Sequence, residues 1–187
     1  MADPEAQQKA ANEPLFRVSP GGRLILTQNS EVRYILDMAL DEVMSMIKSR
    51  RADFYFFDEA GNLTPYKHKD ENAGLRELVN YCIRERTSYN YRVQKEGLSE
   101  PEDAPFLNLK DPALCVYLGL QEGDLGALVL SDPIFFDHFF ESDLNLIKNF
   151  AATFSILLKT GWANNNSDEI YLNFRSSLLL LLENAHL

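Results

Sequence analysis

The chain has 187 residues and a formal net charge of −10, and hydrophobic residues make up 45% of it. This length and composition predict one globular domain with its own core, and they exclude a wholly disordered or collagen-like chain. The acidic balance excludes the basic stripe typical of nucleic-acid-binding proteins, and it argues against an anionic membrane surface as a partner.

The first 27 residues are predicted to be a mobile leader, because small and polar residues dominate and 20–22 form a Pro-Gly-Gly turn. A helix follows, capped by Asn29 or Ser30, with apolar residues recurring at spacings of four and three. The basic run Lys48–Arg51 is predicted to end this helix, since cations are favoured at a helix C-terminus.

The middle of the chain is predicted to alternate short strands with a second helix. Aromatic residues indicate a strand over Asp53–Phe57, and a hairpin turn leads to another from Leu63 to about Lys69. A helix starts near Asn72 and ends near Arg86, and a short aromatic strand covers Tyr89–Val93. Several prolines and acidic residues over 94–112 predict a long loop, which in a compact domain is usually functional or mobile.

Two strands and two helices complete the pattern. The strands are predicted over Leu114–Gln121 and Gly126–Leu130, and a hairpin connection joins them. A helix with one apolar seam runs from Phe140 and is expected to stop at Gly161. A last helix begins at Ser167 and carries a heptad-like apolar pattern. Because this pattern is incomplete at the final residue, we expect the natural protein to continue further.

Strands joined by tight hairpins predict an antiparallel sheet, and long helices at both ends predict a helical layer on one face of it. The fold class is therefore α+β. Strand alternation places Asp53, Tyr55 and Phe57 on one face and Phe54 and Phe56 on the other. The first set mixes aromatic and polar groups, which is what a small-molecule cavity needs.

Three further tyrosines on predicted strands leave two interpretations open. They could line a ligand cavity beneath the 94–112 loop, or they could fill a second small core there. The three residues are Tyr89, Tyr91 and Tyr117.

No catalytic or metal-binding motif emerges from the sequence. The three histidines share no ligand spacing, and no serine lies in a nucleophile elbow. Cys82 and Cys115 are predicted to be small buried hydrophobes, although an enzyme that uses one of these thiols stays as a minor alternative. Two cysteines without a disulfide framework and an acidic N-terminus without a signal peptide predict a cytoplasmic protein.

The chain resembles a GAF domain, the small-molecule sensory module of signalling proteins, over about residues 28–162. This resemblance implies an antiparallel sheet with the terminal helices on one face and a ligand-pocket segment on the other. The segments that carry it are Ala52–Asp58 with the Gly61 turn, Leu114–Leu118, Gly126–Leu130 and Phe140–Leu144.

The tail Ser177–Leu187 is similar to the helix that joins a GAF domain to a GGDEF diguanylate cyclase domain in bacteria. The resemblance implies a regulatory domain over 28–162 and a signalling helix over 163–187, directed towards a C-terminal GGDEF domain that is not in this sequence. It also implies a chain without catalysis of its own, paired as a homodimer through its terminal helices. The implied dimer contacts are Tyr171, Phe174, Leu178, Leu181 and Ala185.

The resemblance also implies a pocket between the sheet and the segments that cover it. We expect a cyclic nucleotide there, with cyclic AMP first and its phosphate near the helix start at Ala73–Gly74. No other cofactor is expected, since 94–112 lacks the Cys-His pair of bilin-binding domains. The alternative is a ligand-free dimerisation module. The implied ligand-binding residues are Asp53, Tyr55, Phe57, His68, Leu75, Arg76, Asn80, Tyr89, Tyr91 and Tyr117.

Overall fold

The computed structural model describes residues 16–26, 30–68, 73–91 and 109–164, together with Ser176. These ranges contain seven strands and three helices. The strands are β1 (Phe16–Val18), β2 (Leu24–Leu26), β3 (Ser49–Phe57), β4 (Leu63–Pro65), β5 (Tyr89–Tyr91), β6 (Ala113–Leu120) and β7 (Gly123–Pro133). The helices are α1 (Ser30–Ile47), α2 (Ala73–Arg84) and α3 (Glu141–Asn164).

Five strands form one antiparallel sheet in the order β4-β3-β7-β6-β5. In its central part, Leu128 of β7 lies between Phe54 of β3 and Val116 of β6. Gly126 has a φ of 153°, and a Cβ at that position would collide with the carbonyl oxygen of Tyr55. The close approach of the two central strands at this point therefore requires glycine.

One face of the sheet packs against α1 and α3 and carries the larger core. Phe54 lies at its centre and stacks on Phe154 of α3 with ring centroids 5.0 Å apart. The apolar stripe of α1, which includes Leu36 and Val43, is fully buried in the same cluster. The predicted α+β class, the antiparallel sheet and the helical layer of the terminal helices are confirmed.

The opposite face packs against α2 and carries a smaller core. Leu78 and Val79 of α2 contact this face, and both are fully buried. Tyr55 and Phe57 belong to this cluster, whereas Phe54 belongs to the cluster on the other side of the sheet. The predicted division of the aromatic strand between two faces is therefore confirmed.

A hairpin of β1 and β2 lies within the segment that was expected to be a mobile leader. Leu24 and Leu26 are buried in the larger core, and Arg23 donates a hydrogen bond of 2.7 Å to the carbonyl oxygen of Gly61. The prediction of a leader over 1–27 is thus wrong for 16–26, because a short apolar hairpin finds a place against the main sheet.

The first helix ends earlier than its basic run suggested. Ile47 is its last residue, Lys48 turns the chain with a φ of 58°, and Ser49 begins β3. Arg50 and Arg51 therefore belong to a strand, and their assignment to a helix C-terminus is wrong. The reason is tertiary, since β3 pairs with β7 as far back as Ser49, opposite Pro133.

Other boundaries shift by a few residues. β4 ends at Pro65 and α2 ends at Arg84, so both are shorter than predicted. β7 is longer, since pairing with β6 begins at Gly123. Helix α3 runs on to Asn164, so Gly161 lies inside it and is not its stop. The predicted C-terminal seam and most of the predicted 94–112 loop lie outside the described residues.

Candidate functional site

A cavity of about 430 Å³ opens on the α2 side of the sheet, towards the end where β3 begins and β7 ends. Its volume falls within the roughly 300–1,000 Å³ typical of small-molecule sites. The lining residues are Arg50, Arg51, Ala52, Asp53, Tyr55, His68, Leu75, Val129 and Ser131.

Two central strands position most of this lining. In their antiparallel register, Arg51 lies opposite Ser131, Asp53 opposite Val129, and Tyr55 opposite Ala127. Residues two apart on a strand share a face, so these pairs form successive steps along the cavity floor. The floor therefore changes from aromatic at Tyr55, through a carboxylate, to a guanidinium at Arg51.

The Asp53 carboxylate is the charged centre of the floor. It is only 7% exposed, and within the described ranges it is the only buried Asp, Glu, Lys or Arg. Its Oδ1 accepts the backbone N–H of Lys67 at 2.9 Å, and its Oδ2 accepts that of His68 at 2.7 Å. Burial raises the pKa of Asp53 above its ordinary value of 3.8, while these two hydrogen bonds oppose the rise.

The segment after β4 is held over the cavity by this carboxylate. The His68 ring is 56% exposed, and its Nδ1 lies 3.4 Å from Asp53 Oδ2. Lys67 extends the other way, where its Nζ is 3.4 Å from Asp37 of α1. Asp53 therefore both shapes the cavity wall and gives its floor an acceptor.

Two adjacent arginines at the cavity's open end differ in their partners. Arg50 Nη1 lies 3.2 Å from Asp132 Oδ1, in an exposed ion pair. The Arg51 guanidinium has no ion pair or hydrogen bond within the part of the chain that the structure describes. Arg51 is exposed, so it places a positive charge without a protein partner in those ranges at the solvent-facing end of the cavity.

The structure brings together four of the ten residues expected to bind a ligand. Asp53, Tyr55, His68 and Leu75 line the cavity. Leu75 lies in the first turn of α2, which begins at Ala73. The remaining six do not line it: Phe57, Arg76, Asn80, Tyr89, Tyr91 and Tyr117.

The three tyrosines of β5 and β6 are engaged within the protein. Tyr91 is buried and donates a hydrogen bond of 2.8 Å to the carbonyl oxygen of Leu109. Tyr117 donates one of 2.6 Å to Asp124, and burial together with this carboxylate raises the pKa of Tyr117. Tyr89 lies edge-on to Tyr81 with ring centroids 6.0 Å apart. At this end of the α2 face the three tyrosines therefore fill a small core and do not line a ligand cavity.

The other three residues lie elsewhere on the same side of the domain. Phe57 is buried, and the guanidinium carbon of Arg23 lies 4.8 Å from the centre of its ring. Arg76 and Asn80 are on α2, and both are exposed. Neither side chain is turned towards the sheet, which explains why they do not contribute to the lining.

Five lining residues were missed from the sequence. Strand alternation extended two residues back from Asp53 would have indicated Arg51, and two residues on from Val129 would have indicated Ser131. The alternation is not recognisable at Arg51 from the sequence, because the basic run predicts that Arg50 and Arg51 end the preceding helix. The five missed residues are Arg50, Arg51, Ala52, Val129 and Ser131.

The two cysteines lie against each other in the smaller core. Both are fully buried, and Cys82 Sγ is 4.0 Å from the carbonyl oxygen of Cys115. Burial, reinforced by Cys82, raises the pKa of the Cys115 thiol well above its ordinary value. A protonated, buried thiol is a poor nucleophile, so the thiol-enzyme alternative loses its support.

Within the described ranges, no helix has both the length and the apolar character needed to cross a bilayer. Those residues likewise include no group of three His, Cys, Asp or Glu side chains placed to hold a metal ion.

Comparison with known proteins rests on structure alone, since no family model and no curated protein matches the sequence. A GAF domain/HD domain protein from Geobacter sulfurreducens has a TM-score of 0.50 at 15% identity, covering 72% of this chain and 97% of its own. The blue-light absorbing form of the PixJ GAF domain from Thermosynechococcus elongatus gives 0.50 at 19% identity, covering 72% and 90%. The chain therefore has the GAF fold, as its sequence resemblance implied.

Proposed function

We propose that this domain is a small-molecule sensor that binds its ligand in the cavity between the sheet and α2. The observation that carries the proposal is the cavity itself, about 430 Å³ in volume, with a buried carboxylate and an uncompensated guanidinium in its lining. The lining combines apolar contacts from Leu75 and Val129 with several polar groups, and convergent polar groups in a concave site are typical of small-molecule binding. The GAF fold supports a sensory role by analogy.

We further propose that the ligand is a cyclic nucleotide, with cyclic AMP first. The cavity offers apolar contacts from Leu75 and Val129 for a base, and Asp53 and Arg51 for the polar part of the nucleotide. Of the predicted ligand-binding residues, we retain Asp53, Tyr55 and His68 beside Leu75. The tyrosines of β5 and β6 are not retained, because their hydroxyls already bond within the protein or their rings pack there.

The output of the sensor is proposed to be a diguanylate cyclase. In this view residues 28–162 form the sensory domain, and 163–187 form a dimeric helix that passes the signal to a following GGDEF domain. Ligand binding would then change the pairing of the helices in the dimer. A double variant Tyr171→Asp/Leu178→Asp should be monomeric in sedimentation velocity, whereas a persistent dimer would remove the C-terminal seam from the proposal.

The test of the sensor is isothermal titration of the chain with cyclic AMP, cyclic GMP and cyclic di-GMP. Saturable binding of one nucleotide would establish both the sensory role and the signal. Ser131→Trp, which fills the cavity at the end of β7, should abolish this binding. Ser142→Trp is the matched control, because Ser142 is exposed on α3 and lies outside the cavity lining.

A second candidate function is a ligand-free dimerisation module. The observation that favours it is the filled end of the α2 face, where Tyr91 and Tyr117 have protein partners for their hydroxyls. This module would pair two output domains without a ligand. If none of the three nucleotides binds and the chain is dimeric, the dimerisation module is favoured over the sensor.

A further inference from the structure

The cavity floor holds two opposite charges that do not neutralise each other. Arg51 and Asp53 are two residues apart on β3 and share a face, which places their Cα atoms roughly 6–7 Å apart. Asp53 accepts hydrogen bonds from the backbone N–H groups of Lys67 and His68. It forms no ion pair with Arg51, although both line the same space.

The neighbouring arginine, Arg50, differs from Arg51 because its charge is paired with a carboxylate. Arg50 pairs with Asp132 at 3.2 Å on the exposed rim. Arg51 has no such partner in the described ranges, and Ser131 lies directly opposite it on β7. The guanidinium has only donors and the Ser131 hydroxyl can also donate, so this end of the cavity suits an oxyanion.

Asp53 supplies the opposite pattern one step along the same strand. An ionised carboxylate accepts hydrogen bonds and cannot donate them, and each of its oxygens has capacity beyond the one backbone N–H that it accepts. A ligand group placed over Asp53 must therefore be a donor, such as a hydroxyl or an N–H. The two ends of the floor are complementary to a molecule that carries an anion and a donor close together.

We propose that Arg51, aided by Ser131, binds the oxyanion of the ligand, and that Asp53 accepts a hydrogen bond from a hydroxyl or N–H group beside that anion. The inference rests on the proposed sensory site and names the chemistry of its ligand. In a cyclic nucleotide these groups are the cyclic phosphate and the ribose 2′-hydroxyl, so the phosphate lies at Arg51 and not, as the sequence suggested, at the helix start near Ala73–Gly74. The base then lies towards Leu75 and Val129, the apolar part of the lining.

The anion subsite is tested with inorganic phosphate, which requires no knowledge of the natural ligand. The full chain is titrated while the backbone N–H signal of Ser131, which faces Arg51 across the strand pair, is followed by ¹H–¹⁵N NMR in the unaltered chain and in each variant. A saturable shift that Arg51→Gln weakens about tenfold or more supports the subsite. Arg33→Gln makes the same charge change at an exposed position of α1, so it should leave the phosphate affinity unchanged. An absent shift, or equal weakening by both variants, overturns the proposal.

A parallel titration with acetate identifies the anion. Tighter binding of phosphate assigns the subsite to phosphate esters, and tighter binding of acetate assigns it to carboxylates. Either result leaves Arg51 as the anion-binding residue, whereas saturation by neither overturns that role.

The role of Asp53 is tested with two phosphate esters that differ in one neighbouring hydroxyl group. 2-Hydroxyethyl phosphate should bind the unaltered chain about fivefold or more tightly than ethyl phosphate, because its hydroxyl can donate to Asp53. Equal affinities would overturn the role of Asp53. The comparison uses one folded protein, so it does not depend on the stability of a variant.

These probes separate this inference from the proposed function. If phosphate binds through Arg51 but no cyclic nucleotide binds, the nucleotide sensor fails and the oxyanion subsite stands. If cyclic AMP binds with equal affinity to Arg51→Gln and to the unaltered chain, the sensor stands and the subsite is wrong.

Discussion

The two faces of the five-stranded sheet are built from the same strands, but they differ in what covers them. Helices α1 and α3, of 18 and 24 residues, cover one face and leave a continuous apolar core. Helix α2, of 12 residues, covers the other face together with the segment held by Asp53. Within the described ranges this shorter cover leaves the cavity, so the faces differ there in their covering elements rather than in the sheet.

Strand β3 shows the difference within a single segment. Phe54 and Phe56 point into the larger core, whereas Asp53 and Tyr55, which alternate with them, line the cavity. A buried carboxylate is tolerated on the second face because backbone N–H groups satisfy it there. Packing therefore dominates one face, and polar side chains are concentrated at one end of the other.

The largest expected effect contrasts one substitution on each face. Phe54→Ala should lower the free energy of unfolding by about 3–5 kcal/mol, because it removes the ring that stacks on Phe154 in a closed core. Leu75→Ala should cost about 2 kcal/mol, since one side of Leu75 already faces the cavity. Equilibrium denaturation in urea measures both values, and equal losses would contradict the contrast between the faces.

The next effect concerns the carboxylate on the cavity floor. Asp53→Asn should lower stability at pH 7 by about 1–3 kcal/mol, because the amide NH₂ leaves one backbone N–H of Lys67 or His68 without an acceptor. Equilibrium denaturation measures the loss. Unchanged stability would show that this carboxylate does not hold the segment after β4.

The pH dependence of stability, compared between the unaltered chain and Asp53→Asn, gives a sharper test. The folded chain binds the Asp53 proton more tightly than the unfolded chain does, because burial raises the pKa above 3.8. The contribution of Asp53 to stability is therefore greatest below pH 3.8 and decreases as pH rises through the folded pKa. The stability of the unaltered chain relative to Asp53→Asn should fall across that window. A relative stability that rises there would mean a lowered pKa.

A smaller effect tests the filled end of the α2 face. Tyr91→Phe removes the buried hydroxyl that donates to the carbonyl oxygen of Leu109. The loss should be about 0.5–1.5 kcal/mol, as for a typical buried hydrogen bond. Thermal unfolding followed by circular dichroism would measure it, and a variant as stable as the unaltered chain would show that the hydroxyl is not needed there.

The smallest effect is expected at the exposed rim. Arg50→Gln removes the ion pair with Asp132, whose side chains are 61% and 43% exposed. Solvent screens such pairs, so the change in stability should stay below about 0.5 kcal/mol. A loss of more than 1 kcal/mol in urea denaturation would show a structural role for this pair that its exposure does not suggest.

The sequence predicts much of the fold because local patterns coincide with the tertiary arrangement. Alternation along Asp53–Phe57 separates the two faces correctly, since both sides of that strand are buried by covering helices. The helices follow from their apolar periodicity for the same reason. The hairpins account for the β3–β4 and β6–β7 pairs, whereas the β3–β7 pair that completes the sheet joins segments far apart in the chain.

The candidate site is predicted less well, and Arg51 shows why. A basic pair after an apolar helix is compatible with a helix C-terminus and equally with the start of a strand. The choice is made by the pairing of Ser49 with Pro133, more than 80 residues away in the chain. The prediction that the tyrosines of β5 and β6 bind a ligand fails for a related reason. Tyr91 and Tyr117 have partners at Leu109 and Asp124 that the local sequence pattern does not specify.

The N-terminal hairpin has a consequence for where this domain can be divided. A fragment that starts at residue 28, the boundary suggested by composition, would discard Leu24 and Leu26 from the larger core. It would also discard Arg23, which contacts Phe57 and Gly61 beside the smaller one. The minimal autonomous folding unit must therefore retain the hairpin from Phe16, and shorter recombinant versions should be prone to aggregation through the newly exposed apolar surface.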